Sequence, residues 1–203
     1  MNEYHREQID TIELVDQHLH SHPSARRDLL AFAADYLLFR AEVDRFLTSH
    51  FRKICTHSCY QNRLSACCSR EGIVTFFADI VVNALVSDRQ EIKELISILQ
   101  EPNTGFKCIY LTEDGCRWKV KPIVCEMFLC DTAKEAVLPP DSQLQRQWRL
   151  FEEKRRQYTW PDQPVLFDRL EEYFMAAGYR STLMYLHNSP GLLRVKQKAG
   201  LTG

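Results

Sequence analysis

The chain has 203 residues and a mass of 23.8 kDa, with 45% hydrophobic and 26% charged residues, enough to bury a core without covalent staples. A formal net charge of −1 and a pI near 6.7 give no bulk attraction to nucleic acid or acidic lipid, so no nucleic-acid and no membrane partner is expected. The opening residues MNEYHREQIDTIEL lack the basic-then-apolar order of a secretory signal, and no apolar run approaches the roughly 18 residues that span a bilayer. A cytoplasmic location is expected, and in that reducing setting clustered cysteines bind metal or carry redox chemistry more often than they form structural disulfides.

The apolar period predicts a mainly α fold: a helical bundle with a loop-rich, cysteine-bearing metal-binding knuckle and one short β-hairpin. Residues 1–203 read as a single domain, with the cysteine region 55–130 inserted among helices and a C-terminal helical segment over 141–187. The first helix carries Ile9, Ile12, Val15 and Leu19 on one stripe and stops at Pro23. A second is expected from Ser24 to about His50, with Phe32, Tyr36, Phe39, Val43 and Phe46 at helical spacing.

After a gap, Ile73, Phe76, Phe77, Ile80, Val81, Ala84 and Leu85 repeat the three-then-four interval, and Ile92, Leu95, Ile96 and Leu99 continue it until Pro102. Ser87 with Gln90 resembles a capping box, so 71–100 is either one bent helix or two. From Asn103 to Cys130 the helical period is lost, and Asp114-Gly115 reads as the turn of a hairpin. Helices resume after Pro139 and Pro140, capped by Asp141 or Ser142 with Leu144, Trp148, Phe151 and Tyr158 on one side, and again over about 163–177 with Phe167, Leu170 and Phe174 inward and Gly178 as the stop.

All eight cysteines fall into two stretches. Cys55, Cys59, Cys67 and Cys68 occupy the first, and Cys108, Cys116, Cys125 and Cys130 the second. Ordinary core cysteines behave as small hydrophobes and should follow the helical period. These stand mostly in polar-flanked, irregular sequence, and none falls in the long apolar run over 71–100. Thiolates are soft donors that select zinc, copper(I) or iron–sulfur clusters, and short loops close around a metal at small entropic cost.

The order CC at 67 and 68, then Cys108, Leu111, Gly115, Cys116, Lys121, Pro122 and Cys125, with Phe128 three residues on, resembles the YkgJ-type cysteine-cluster family, the CxxCxxCC zinc- or iron-chelating domain. The likeness covers about residues 55–130. It implies a chelating role for these cysteines and brings no particular reaction. The chain departs from the family in the gaps of three and seven residues before the double cysteine, in Lys121 and Glu126 where arginine is usual, and in Cys130. A flagellin lysine-methylating enzyme carries a similar cluster in a longer chain, which makes a cluster-dependent modification enzyme a further alternative.

The expected cofactor is iron, as an iron–sulfur cluster, held by up to all eight thiolates, with zinc as the alternative. Only Cys55 with Cys59 and Cys125 with Cys130 have the spacing common in zinc pairs, whereas vicinal Cys67 and Cys68 suit two metals or two irons better than one ion. Trp118, Phe106, Phe128 and Ile109 are candidates for a dry shell. An iron protein would have a redox or client protein as partner, and a zinc protein would present its helical faces to one. His57 is a candidate ligand, proton shuttle or donor to sulfur; His18 and His22, the paired acids Glu152–Glu153 and Glu171–Glu172, and the basic EKRR run at 153–156 read as surface groups.

Overall fold

The computed structural model describes residues 3–60, 68, 75–103, 107–112, 115–160 and 164–184, and of residues 3 and 58–60 the backbone alone. The Cys59 side chain, Cys67, Ile73, Phe106 and the chain after 184 lie outside the described residues.

Helix α1 (Glu3–Ser21) forms on its predicted stripe and buries Ile9, Ile12, Val15 and Leu19. Pro23 then opens α2 (Pro23–Phe32), at the first helical position where its missing N–H costs nothing. The one helix expected from Ser24 to His50 is two. Ala33, wholly buried, turns the chain between α2 and α3 (Ala34–Arg52), so that α2 reaches α4 while α3 is free to reach α7. The break takes Phe32 off the inward stripe and leaves it 48% exposed, whereas Tyr36, Phe39, Val43 and Phe46 are buried.

Nor does α3 end at His50. It runs on into π-helical turns over Lys53–Tyr60, so Cys55 and Cys59 stand on helical backbone rather than in an irregular loop. Such wide turns are rare and concentrate at functional sites.

Beyond the first cysteine stretch, α4 (Phe77–Val86) and α5 (Arg89–Gln100) are separate helices, with Phe76 extended ahead of the first. The capping box uses Asp88 with Glu91, one residue on from the pair expected: the Asp88 carboxylate accepts from the Glu91 N–H at 2.9 Å and the Glu91 carboxylate from the Asp88 N–H at 2.8 Å. Ser87 is buried as the C-cap of α4 and so cannot start the next helix.

A two-stranded antiparallel hairpin follows, β1 (Leu111–Thr112) with β2 (Gly115–Cys116), in which Leu111 faces Cys116 and Thr112 faces Gly115. Gly115 thus belongs to β2 rather than to the turn, and its φ of +114° is open to glycine alone without strain. Two short helices, α6 (Ile123–Glu126) and α7 (Asp131–Val137), come next; α6 lies within the stretch that reads as loop, because four residues are too few to display a period. Ser142 caps α8 (Gln143–Thr159) through the Gln145 N–H at 3.0 Å, and α9 (Leu166–Ala176) ends at Gly178, φ +90°. There the Gly178 and Tyr179 N–H groups return to the Met175 and Phe174 carbonyls, each at 3.0 Å.

Helix α1 lies against α4 and α5, α4 also meets α2 and α9, and α8 lies on α9. Between α3, α8 and α9 the core is aromatic: Tyr36, Phe39, Tyr158 and Phe167 form one run of ring contacts, and Phe46, Phe51, Trp148 and Phe151 another. Two residues expected on the surface are buried. Glu171 is fully buried on α9, while Glu172, Glu152 and Glu153 are exposed. His18 is 4% exposed and meets two phenols, Tyr179 Oη at 3.2 Å through Nδ1 and Tyr173 Oη at 3.0 Å through Nε2. A neutral imidazole fits this pair of contacts, donating through one nitrogen and accepting through the other.

Candidate metal centre

The two cysteine stretches meet. The Cys108 N–H donates to the Cys68 carbonyl at 2.8 Å, so Cys68 of the first stretch is fastened to the first cysteine of the second. Cys108 stands just ahead of the hairpin, where the Leu111 N–H closes a turn on its carbonyl (3.1 Å), and Cys116 ends β2, next to the Arg117 N–H that donates across the hairpin to the Tyr110 carbonyl (3.0 Å). Cys125 rides on α6, and Cys130 stands at the N-cap of α7. Cys55, Cys68, Cys108, Cys116, Cys125 and Cys130 are all half-buried.

Burial pushes the Cys108 thiol up to about 11. Opposing it, the backbone N–H groups of Tyr110 and Leu111 hydrogen-bond to its sulfur and favour the thiolate, while neighbouring Cys116 adds to the rise. Cys116 is also raised by burial, against a hydrogen bond from the Trp118 backbone N–H and the charge of Lys121. Both sulfurs therefore sit in a medium that disfavours a bare thiolate while presenting amide donors that would serve one. A cation held by these sulfurs would reverse the balance.

Beside Trp118, the walls include Tyr110 and Tyr4, whose types gave no hint of the site. Tyr110, 1% exposed, donates to Gln8 Oε1 of α1 and stands edge-on to Trp118, ring centroids 5.5 Å apart. Tyr4, also on α1, accepts from the Thr75 N–H at 3.2 Å. Burial raises the phenols of Tyr4 and Tyr110, with Cys125 contributing to the first and Cys108 and Cys116 to the second, so α1 forms one side of the cysteine region. Of the residues expected to form a dry shell, Trp118 is buried and Ile109 half-buried, whereas Phe128 is 52% exposed. His57 is exposed.

Behind Cys125 lies a buried polar network. Arg40 of α3 pairs with Glu126, donates to Tyr36 Oη at 2.8 Å and to the Lys121 carbonyl at 2.6 Å. Asp79 of α4 accepts from the Ile123 N–H and the Phe76 N–H, each at 3.0 Å, and Asn83, one turn on, accepts from the Val120 N–H at 3.0 Å. Burial pushes the Asp79 carboxyl up to about 6, against the Arg40 guanidinium and the two N–H donors. A signal for this network was present: Asp79 and Asn83 are the polar residues of the otherwise apolar FADIVVNALV, at a spacing that sets both on one side.

Among the described residues, no three histidine, cysteine, aspartate or glutamate side chains already stand together as a metal site. The chain matches no family model, no curated protein and no solved structure. The likeness to the cysteine-cluster family therefore stands on the order and spacing of its residues over about 55–130 alone.

Proposed function

We propose that this chain is a metal-binding protein that chelates iron, as an iron–sulfur cluster, or zinc through its cysteine thiolates. The observation that carries the reading is the 2.8 Å hydrogen bond from Cys108 to Cys68, which brings together stretches 39 residues apart in which all the cysteines of the chain are found. The donor set fits in kind: soft sulfur ligands, half-buried, with backbone N–H groups directed at Cys108 and Cys116. Cys55, Cys59, Cys67, Cys68, Cys108, Cys116, Cys125 and Cys130 are the residues that would hold the metal. A bound cluster would supply one-electron chemistry, and a bound zinc ion would supply cross-linking without redox change.

Iron is favoured over zinc by the adjacent Cys67 and Cys68, which suit two metal centres, and by N–H donors to sulfur, which tune cluster potentials. The role that follows is electron transfer or iron–sulfur assembly, with a protein as redox partner or client. The zinc reading would make the cysteine region a scaffold for a protein-interaction module.

Anaerobic purification without added metal, followed by an absorbance spectrum and elemental analysis, separates the readings. Iron and acid-labile sulfide in equal amounts, with a broad band at roughly 400 nm where thiolate-to-iron charge transfer is expected, supports the cluster. Zinc alone at one or two equivalents supports the scaffold. Protein that retains neither and takes up neither on anaerobic reconstitution would overturn both.

A further inference from the structure

Given the thiolate reading above, on which this rests, we infer that Asp79 and Asn83 of α4 are positioning residues for Cys125. The four residues Val120–Ile123 lead into the short helix that carries it. Core side chains hold their backbone at three points: the Val120 N–H on Asn83, the Lys121 carbonyl on Arg40 and the Ile123 N–H on Asp79. Pro122 has no N–H to offer. Ile123 is the first residue of α6 and Cys125 the third, so fixing Ile123 fixes where the sulfur starts from.

A four-residue helix does not hold itself in water. The two acceptors that hold this one are one turn apart on a ten-residue helix and are themselves 2% and 3% exposed. Their separation is set by the backbone of α4, and two fixed points determine both the position and the direction of α6. Buried carboxylates and amides contribute less to stability than apolar residues of the same size unless their hydrogen bonds are made. Here the bonds go to the segment that delivers a cysteine. Cys125 is thus held in place by α4 before any metal arrives.

The test is a pulse of iodoacetamide on the metal-free full-length protein, with the labelling rates of Cys125 and Cys130 read by mass spectrometry. Cys130 begins α7, outside the clamp, and serves as the internal reference. Asn83→Leu should raise the Cys125 rate roughly tenfold, the effect of one lost buried hydrogen bond, with Cys130 changed less than about twofold. Asp79→Asn keeps an oxygen for Ile123 and should hold the ratio within about threefold of native. Leu170→Ala, a cavity at a fully buried position of α9, should move both rates together or neither.

Cobalt(II) affinity, read from its thiolate charge-transfer band, should fall about tenfold in Asn83→Leu and be kept in Asp79→Asn. Should Asn83→Leu not fold, Asn83→Ser, too short to reach Val120, carries the same expectation. A native Cys125-to-Cys130 ratio in a folded Asn83 variant would overturn the positioning role. Failure of the native protein to bind cobalt would instead count against the thiolate reading, while the labelling ratio would still decide the clamp.

Discussion

Neighbouring residues of α3 serve two regions built on opposite principles. Phe39 enters the aromatic core between α3, α8 and α9, where it lies 5.4 Å from the Tyr158 ring and 6.3 Å from that of Phe151. Arg40 turns about a quarter of the way round the helix to the polar network behind Cys125. The first region gains stability from area and contact, which are non-directional and tolerate small displacements. The second gains direction, because each hydrogen bond works at one distance and one angle. A molecule needing only stability would have extended the aromatic core, so the polar network marks where backbone position matters.

The two regions should separate most clearly at Phe39. Phe39→Ala should lower the free energy of unfolding by about 4 kcal/mol, a truncation of a fully buried ring, without altering the relative labelling of Cys125 and Cys130 in the folded protein. Urea unfolding measures the first and the iodoacetamide pulse the second. A changed labelling ratio would mean that the aromatic core also sets the cysteine region, and the division between the two would fail.

Glu126→Leu should cost about 3 kcal/mol, because it leaves the Arg40 guanidinium buried without its carboxylate. The double variant Arg40→Met with Glu126→Leu should recover part of that loss, since an apolar pair can replace a buried ion pair with little change in stability. Its Cys125 should nevertheless label faster than native, because the Lys121 carbonyl has lost its donor. Recovered stability with unrecovered protection would sharpen the division between holding the fold and holding the site.

The same division governs what could be read from sequence. Burial of Ile9, Ile12, Val15 and Leu19 on α1, and of Phe167, Leu170 and Phe174 on α9, followed directly from period, since apolar area is a one-residue property repeated at fixed spacing. The break at Ala33 carried no such mark, because neither glycine nor proline stands there and Ala33 keeps a right-handed backbone, φ −85° and ψ 0°. The π-helical setting of Cys55 and Cys59 was equally hidden, since π turns have no residue signature. His18 was misplaced because its partners, Tyr173 and Tyr179, lie far along the chain. The cysteines announced a candidate site by number and clustering, but Asp79, Asn83 and Arg40 show their purpose only once Val120–Ile123 has been folded back against them.

The smallest expected effect lies at an exposed link between frame and cysteine region. Lys119 reaches Glu91 of α5 at 2.9 Å, but the two side chains are 46% and 38% exposed. Water and salt screen such a pair, and ordering two long side chains consumes much of the attraction, so Lys119→Met should change stability by under about 0.5 kcal/mol in urea. Cys125 labelling should stay native. The Lys119 pair and the Asn83 bond anchor backbone positions one residue apart, at nearly equal distances of 2.9 and 3.0 Å. Loss of Cys125 protection in Lys119→Met would show that any tether suffices, whereas native behaviour there beside a roughly tenfold effect at Asn83 would show that burial makes a contact able to position the sulfur.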